Sequence, residues 1–286
     1  MAKISMRPIA VTGSSGQLGK AISQLLGADA VMLPRAVLDI TQSHEVYEVL
    51  ARIRPRAVIN CAAWTAVDAA EQSAQACFAA NAAAVQLLAE ACCQLDSMLV
   101  QVSSDYVFGA EVGRVTPYCE SDKPGPLSVY GASKQAGEEA ARCAQRYQIV
   151  RTCGLYSALA EGPVRGRNFA DTMRVLSRDR DEVRVVADQS CTPSYVPHVA
   201  SGLLALLETG ETGTFHLTNA GSTSWHGFAR ELFRQANIST QVLPITTAEY
   251  CSPVMRPLYS VLDNAKLNAL GISLPHWQQG ITEYLR

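Results

Sequence analysis

The sequence has 286 residues, a net charge of −2 and a hydrophobic fraction of 48%, and this length can bury one large core or two unequal ones. It has no basic field, no apolar run of ~18 residues and no signal-peptide pattern, which argues against nucleic acid, a membrane surface or a membrane span. Its nine cysteines and five histidines show neither a C-x-x-C pair nor metal-ligand spacing, so we expect a cytoplasmic protein without a metal site.

Short apolar strands alternate with helices along the first half of the chain. Strands are predicted at 8–13, 30–34, 57–62, 98–104 and 148–153, and helices at 16–27, 43–55 (with Ser43 as its N-cap), 67–95 and 130–147. In the second half, strands are predicted at 182–189 and 213–219 and helices at 196–210 and 224–237. Short strands separated by helices indicate a parallel sheet that is covered on both faces.

We therefore expect an α/β fold of two parts. Residues 1–150 would form a Rossmann-type doubly wound parallel sheet that binds NAD(P). Residues 151–286 would form most of a smaller C-terminal α/β domain for the substrate. This boundary is soft, and some later segments are expected to return to the core of the first domain.

A glycine series lies between the first strand and the first helix. The segment "VTGSSGQLG" contains Gly13, Gly16 and Gly19. Glycine permits the tight turn and lets the backbone approach a pyrophosphate, which then lies at the positive N-terminus of the helix. Because the strand–turn–helix context is present, the series predicts a dinucleotide site.

The residues after the second strand bear on the choice between NADH and NADPH. A carboxylate there would bind the ribose 2′-hydroxyl, but this sequence has Pro34 and Arg35. Arg35 can pair with a 2′-phosphate, which favours NADPH, although it could also be a solvated loop charge and NADH stays possible. Asp39 and Ile40 follow, where their side chains could flank the adenine.

Ser104, Tyr130 and Lys134 form a candidate catalytic set, and Asp105 follows Ser104 in the chain. Ser104 and Asp105 follow the fourth strand, and strand carboxyl ends face the ligand crevice in an open parallel sheet. Tyr130 and Lys134 are four residues apart on a predicted helix, so their side chains share one face. An ammonium beside a phenol lowers the phenol pKa and favours proton exchange near neutral pH. The alternative is an exposed pair on an ordinary amphipathic helix.

Together with the glycine series, the Ser104, Tyr130 and Lys134 set closely resembles the dTDP-4-dehydrorhamnose reductase family, in the extended branch of the short-chain dehydrogenase/reductases. The resemblance covers almost the whole chain. It is carried by the segments "TGSSGQLG", "LDIT", "RPRAVINCAAWTAVDAAE", "VSSDYVF", "VYGASKQAGEE", "NFADTM", "VVADQSCTPSY", "TFHLTNAGSTSWHGFARELF" and "RPLYSVLDNAKL".

The resemblance implies an oxidoreductase that transfers hydride from NAD(P)H to C4 of a nucleotide-linked 4-keto-6-deoxy sugar. Tyr130 would protonate the alkoxide, Lys134 would lower the tyrosine pKa and hold the nicotinamide ribose, and Ser104 would polarise the carbonyl. The implied cofactor contacts are Gly16, Gln17, Leu18, Asp39, Ile40, Ala63, Trp64 and Thr65. The implied substrate contacts are Ser104, Asp105, Gly154, Asn168 and Arg256, of which Arg256 could equally form a surface ion pair.

Three departures from the family pattern limit these expectations. Cys153 and Gly154 stand where the family has serine and a tryptophan that contacts the sugar, so the pocket could be wider or the substrate different. Cys191 stands where glycine is usual. The first helix lacks the glutamate of a metal-linked dimer contact found in some relatives, and we do not expect that metal.

Other functions stay open at this point. A 4,6-dehydratase would need an Asp-Glu pair, whereas this chain has Asp105 followed by Tyr106. An epimerase of nucleotide sugars is an alternative, as is a non-catalytic regulatory subunit, since one branch of the family partners a methionine adenosyltransferase. The exact sugar, the nucleotide and a possible homodimer cannot be read from the residues.

Overall fold

The structure is a computed structural model, and it describes residues 7–158 and 168–286. The strands are β1 (Ile9–Thr12), β2 (Ala30–Leu33), β3 (Ala57–Asn60), β4 (Met98–Ser104), β5 (Tyr147–Thr152), β6 (Leu155–Tyr156), β7 (Glu182–Val186), β8 (Ser190–Cys191), β9 (Ser194–Tyr195), β10 (Gly213–His216), β11 (Thr223–Ser224) and β12 (Gln241–Ile245).

The α-helices are α1 (Gln17–Leu26), α2 (Ser43–Ile53), α3 (Val67–Ala70), α4 (Ala74–Phe78), α5 (Ala84–Leu95), α6 (Val129–Ala141), α7 (Phe169–Leu176), α8 (Val196–Thr209), α9 (Trp225–Gln235), α10 (Thr247–Tyr250), α11 (Ala265–Ala269) and α12 (Trp277–Tyr284). A π-helix at Ala79–Ala83 joins α4 to α5, and short 3₁₀ helices lie at Gly27–Asp29 and Asp105–Val107.

Six strands form a parallel sheet in the order β2-β1-β3-β4-β5-β10. Every residue of β1 and β3 is buried, because α1 and α8 cover one face of the sheet and α2 and α5 cover the other. The chain turns to one side of β1 to form β2 and crosses to the other side to form β3. In such sheets, ligands bind outside the strand carboxyl ends at this switch point. The predicted Rossmann-type sheet is thus confirmed.

Several predicted element bounds are wrong. The helical region expected over 67–95 is interrupted at residues 71–73, between α3 and α4, and contains the π-helix. The helix expected to reach residue 147 ends at Ala141. Ser43 is the first residue of α2 rather than its N-cap, since that position belongs to Gln42. At the first of these points, Glu71 Oε1 accepts from the Val129 amide of α6 at 2.9 Å, a tertiary contact that helical periodicity does not show.

The helical run Ala74–Leu95 has 22 residues and is long and apolar enough to cross a membrane, by length and composition alone; 44% of its apolar window is buried inside the protein. The expectation that no apolar segment reaches this length is therefore wrong. Val85, Leu88 and Cys92 on this run lie in the core between α2 and the sheet. A core position accounts for the apolar character of the run.

A second core lies in the C-terminal half of the chain. It joins β7, α7, α9 and α12, and its large buried side chains include Tyr156, Met173, Phe228, Trp277 and Tyr284. In contrast, α8 and β10 belong to the first core, where β10 extends the sheet beside β5. The division of the chain near residue 150 stays a prediction.

The close approach of α6 to the π-helix depends on a glycine. A Cβ atom at Gly137 would overlap the carbonyl oxygen of Asn81. We expect Gly137→Ala to lower the free energy of unfolding by about 1–3 kcal/mol, because overpacking forces the backbone apart. Urea unfolding of the variant and the wild type measures this difference.

The control is Glu139→Ala, an exposed change on the same helix that should stay within about 0.5 kcal/mol of the wild type. A glycine-to-alanine change in an unobstructed helix stabilises it by about 1 kcal/mol. A gain of stability in Gly137→Ala would therefore contradict the observed contact.

Candidate active site

The glycine series forms the turn between β1 and α1. Gly13 has a φ of +61°, and a Cβ there would lie 2.5 Å from the amide nitrogen of Ala62, at the end of β3. A Cβ at Gly19 would lie 2.5 Å from the carbonyl oxygen of Gly13. Gly16 is the N-cap of α1 and has no side-chain cap, so backbone N–H groups at this helix start stay available.

A second observation supports an anion site at this turn. The hydroxyl of Ser14 is fully buried and has no hydrogen-bond partner in the described part of the chain. Buried hydroxyls normally have a partner, so this atom fits a ligand oxygen. The glycine backbone, the uncapped helix and the Ser14 hydroxyl together suit the pyrophosphate of a dinucleotide.

Gln17 and Leu18, the first two residues of α1, differ in whether their side chains can face the crevice. Gln17 Oε1 accepts hydrogen bonds from Ser157 Oγ at 2.7 Å and from Asn168 Nδ2 at 3.2 Å. This links the turn to the start of α7, where Asn168 is the N-cap and binds the amide of Asp171 at 2.9 Å. The side chain of Leu18 is buried in the core, so only its backbone can face the crevice.

The region after β2 holds a charge pair. Arg35 Nη2 lies 3.0 Å from Asp39 Oδ2, and the arginine side chain is 79% exposed. Burial raises the pKa of Asp39, but hydrogen bonds from Thr41 and the charge of Arg35 outweigh it and the net pKa is lowered. Ile40 is buried in the core between α2 and the sheet. The roles of Arg35, Asp39 and Ile40 towards a cofactor stay predictions.

The loop after β3, with Ala63, Trp64 and Thr65, is held by a residue that the sequence did not indicate. Asn81, in the π-helix, accepts from the Trp64 amide at 2.8 Å and donates to the Trp64 carbonyl at 3.1 Å. It also donates to Ser133 Oγ on α6 at 2.9 Å. The sequence feature that could have indicated this role is the single amide side chain inside the alanine-rich run "FAANAAAV".

The proposed catalytic side chains meet where β4 ends against α6. Lys134 is almost fully buried, and its Nζ donates to the Val102 carbonyl oxygen at 2.7 Å. The Ser104 hydroxyl, which donates to Asp105 Oδ1 at 3.1 Å, is close enough to Tyr130 to influence the pKa of its phenol. The structure thus brings the serine, the tyrosine and the lysine to the junction of β4 and α6.

The protonation states differ from the expectation. Burial raises the pKa of Tyr130 to about 12, and the Ser104 hydrogen bond opposes it. Burial lowers the pKa of Lys134 to about 8, with Glu138 acting in the opposite direction. The expected lowering of the tyrosine pKa is wrong here, because burial of the phenol dominates and the ammonium binds Val102. Tyr130 therefore holds its proton at neutral pH and can act as an acid.

Asp105 lies in a buried cluster rather than facing open solvent. Its Oδ2 accepts from Ser260 Oγ at 2.6 Å and from the Cys153 thiol at 3.0 Å, and its Oδ1 accepts from Ser104 Oγ at 3.1 Å. The neighbouring Cys191 thiol, together with burial, raises the pKa of the Cys153 thiol. Burial raises the pKa of Asp105 although these donors oppose it. Its contact with a sugar stays a prediction.

The indole of Trp225 lies beside Gly154, the position at which the family pattern has a tryptophan. Gly154 has a φ of +52°, and a Cβ there would lie 3.0 Å from Cη2 of Trp225 and 3.2 Å from Cα of Pro193. Trp225 begins α9 and packs on Phe169 with ring centroids 4.7 Å apart. A large side chain at position 154 would collide with Trp225, so the space beside the glycine is partly filled.

Arg256 forms an ion pair beside the same site. Its Nη2 lies 2.6 Å from Asp68 Oδ1, and its Nη1 donates to Ser252 Oγ. Burial raises the pKa of nearby Tyr106, and the charge of Arg256 opposes this rise. Tyr106 packs edge-on against Tyr130 at 5.7 Å. The arginine is close to the proposed centre but already paired, so a diphosphate contact stays a prediction.

The parallel sheet and its glycine turn place the protein in the class of Rossmann-type α/β proteins, and comparison with known proteins narrows this class. The model of the family described as the RmlD substrate binding domain matches residues 6–286. The chain belongs to this family.

Similar proteins extend over nearly the whole chain. One is dTDP-4-dehydrorhamnose reductase of Streptomyces griseus, 40% identical over 96% of this chain and 91% of that protein. Another is dTDP-4-keto-6-deoxy-D-glucose reductase of Streptomyces niveus, 35% identical over 96% of this chain and 94% of that protein. The crystal structure of a Bacillus anthracis dTDP-4-dehydrorhamnose reductase in complex with NADP superposes with a TM-score of 0.92, at 36% identity and 98% coverage of both chains.

The buried carboxyl of Asp105 generates a prediction about stability. Its pKa is raised from 3.8 in the folded chain, so the unfolded chain releases this proton more readily and folding loses stability as pH rises above about 4. We expect Asp105→Asn to gain stability relative to the wild type as pH rises, and to match it more closely at low pH. Urea unfolding from about pH 3 to about pH 8 measures the trend.

Asp122→Asn is the control of opposite sign. The amide of Cys119 and the guanidinium of Arg114 outweigh burial and lower the pKa of Asp122. This carboxylate contributes stability above its unfolded pKa, and the contribution is lost as pH falls. Asp122→Asn should therefore lose stability at neutral pH. The same pH trend in both variants would contradict the assignment for Asp105.

Proposed function

We propose that the protein is an NADPH-dependent reductase of the C4 ketone in a dTDP-linked 4-keto-6-deoxy sugar, forming dTDP-L-rhamnose or a close analogue. The observation that supports this proposal best is the position of Ser104, Tyr130 and Lys134 at the junction of β4 and α6, where Lys134 Nζ donates to the Val102 carbonyl oxygen. The names of the two Streptomyces relatives support the substrate class, and the NADP complex of the Bacillus anthracis protein supports the cofactor.

Each residue has a distinct part in the proposed reaction. Bound NADPH supplies hydride to the carbonyl carbon. Tyr130, which is protonated at neutral pH, donates its proton to the carbonyl oxygen, so that the ketone becomes an alcohol. The Ser104 hydroxyl binds that oxygen and orients it. The ammonium of Lys134 stabilises the phenolate that Tyr130 leaves behind, and solvent restores the proton.

The choice of NADPH rests on Arg35. It lies after β2 with a largely exposed guanidinium, and a guanidinium can bind a 2′-phosphate in a bidentate manner. Its pairing with Asp39 leaves one edge open to solvent. NADH stays a second substrate in this proposal.

The setting of the enzyme is also proposed. All nine cysteines are free thiols, which fits a reducing cytoplasm. The partner is a nucleotide sugar rather than nucleic acid or a membrane. A homodimer stays a prediction that analytical ultracentrifugation would test.

Tyr130→Phe tests the catalytic assignment. Removing the hydroxyl removes the proton donor, and we expect kcat/KM to fall about a hundredfold to ten-thousandfold. The assay follows NADPH oxidation with a dTDP-4-keto-6-deoxyhexose. Tyr47→Phe removes a surface hydroxyl that binds Glu90, and it should leave the rate unchanged. Undiminished turnover in Tyr130→Phe would refute the role.

Arg35→Ala tests the cofactor assignment. Hydrogen bonds to a charged group contribute about 1.5–3 kcal/mol, so we expect the preference for NADPH over NADH to fall about tenfold or more. The readout is the ratio of kcat/KM values for the two cofactors. Arg52→Ala, which removes an exposed arginine on α2, should leave this ratio unchanged. An unaltered ratio in Arg35→Ala would show that another residue selects the cofactor.

A further inference from the structure

Two consecutive residues of β4 are hydrogen-bonded to residues of α6 that lie one helical turn apart. The Lys134 ammonium donates to the Val102 carbonyl oxygen, and the Ser103 hydroxyl donates to Glu138 Oε1. Lys134 belongs to the proposed catalytic set, as does Tyr130 one turn earlier on the same helix. Glu138 lies on the same helix face, yet neither the sequence nor the proposed reaction gives it a role.

Glu138 is held by more than one element. It is fully buried, and its carboxylate binds Arg151 on β5 at 2.8 Å through Oε1 and at 2.7 Å through Oε2. The Ser103 hydroxyl on β4 donates to Oε1 at 2.6 Å. Arg151 is 1% exposed and contacts His216 on β10 at 3.4 Å. A carboxylate with these partners is fixed in position on the face of α6 that carries Lys134.

A buried ion pair of this kind is weak evidence for stability. Removing two charges from water costs free energy that their attraction often fails to recover, and apolar residues of similar volume can serve as well. The position of the pair, next to Lys134, indicates a role in the site instead. The hypothesis is specific because the carboxylate lies one turn from the lysine on the same helix face.

In the described part of the chain, the groups that influence the Lys134 pKa are Glu138 on α6, Cys77 on α4 and Cys61 after β3. The carboxylate of Glu138 is itself paired with Arg151 and lies 3.8 Å from Arg142 Nη2. Burial raises the pKa of the Cys61 thiol to about 12, so this group is neutral near pH 7. Glu138 is the leading charged group that favours the ammonium, and burial opposes it.

We infer that Glu138, fixed by Arg151 and Ser103 one helical turn from Lys134, is a positioning residue that keeps Lys134 protonated. Its catalytic consequence rests on the proposed reductase function. Without the carboxylate, burial alone acts on Lys134, and the lysine loses its proton at lower pH. The phenolate of Tyr130 then lacks its cation.

The test measures the titration of Lys134 in Glu138→Gln. Lysines labelled with ¹³C at Cε report protonation through their chemical shift, and Lys134→Arg identifies the signal among five lysines. We expect the midpoint for Lys134 to fall by about one pH unit, the lower end of the effect of one nearby opposite charge. The alkaline limb of kcat/KM should move with it, while KM at lower pH changes little.

Two further variants complete the experiment. Glu138→Gln leaves Arg151 unpaired, so a second variant combines it with Arg151→Gln and should shift the Lys134 midpoint in the same direction. Glu139→Gln is the matched control, because it removes a neighbouring carboxylate that is exposed and pairs with Arg142 at 2.6 Å. It should leave the midpoint and the pH profile unchanged.

The outcomes separate this inference from the proposed function. An unchanged Lys134 midpoint in both folded Glu138 variants, or an equal shift in Glu139→Gln, would overturn the inference. The titration needs neither substrate nor cofactor, so it remains decisive if the wild type reduces no keto-sugar. A wild type without turnover would instead refute the reductase proposal.

Discussion

The proposed site depends on the packing of α6 directly against β4. A small residue makes this possible, since a Cβ at Gly131 would overlap the carbonyl oxygen of Tyr106, directly after β4; in the same way, Gly137 lets α6 approach Asn81 in the π-helix. In the narrow gap, polar side chains of the helix bind the strand in a fixed register. A shift of the helix by one residue would break these bonds together. The geometry of the site is therefore a property of the helix–sheet contact rather than of any single side chain.

Local patterns in the sequence predicted the parts that depend on local geometry. The turn at Gly13 and the pairing of Tyr130 with Lys134 follow from spacings within one element, and the place of Ser104 follows from the rule for parallel strands. Contacts between distant segments could not be read, such as Ser260 with Asp105, which are 155 residues apart. The predicted lowering of the Tyr130 pKa was also wrong, because the spacing of Tyr130 and Lys134 is visible in a sequence and the burial of the phenol is not.

The departures from the family pattern form a connected region. Cys153 donates to Asp105, and the buried Cys191 is close enough to raise the pKa of the Cys153 thiol. Gly154 lies beside the indole of Trp225 instead of carrying an aromatic ring itself. The replacement of tryptophan by Gly154 suggested a lost contact. The indole of Trp225 instead fills part of the space beside this glycine.

The second core also has a consequence for synthesis of the chain. Tyr156 packs edge-on against Phe228 at 5.0 Å and against Tyr284 at 5.7 Å, only two residues from the end of the sequence. Strands β1 to β5 can pair as soon as they emerge from the ribosome, since N-terminal parts fold first. The aromatic cluster of the second core cannot pack completely until α12 has been synthesised. During translation this half of the chain exposes aromatic side chains, and removal of α12 would leave them exposed in the folded protein.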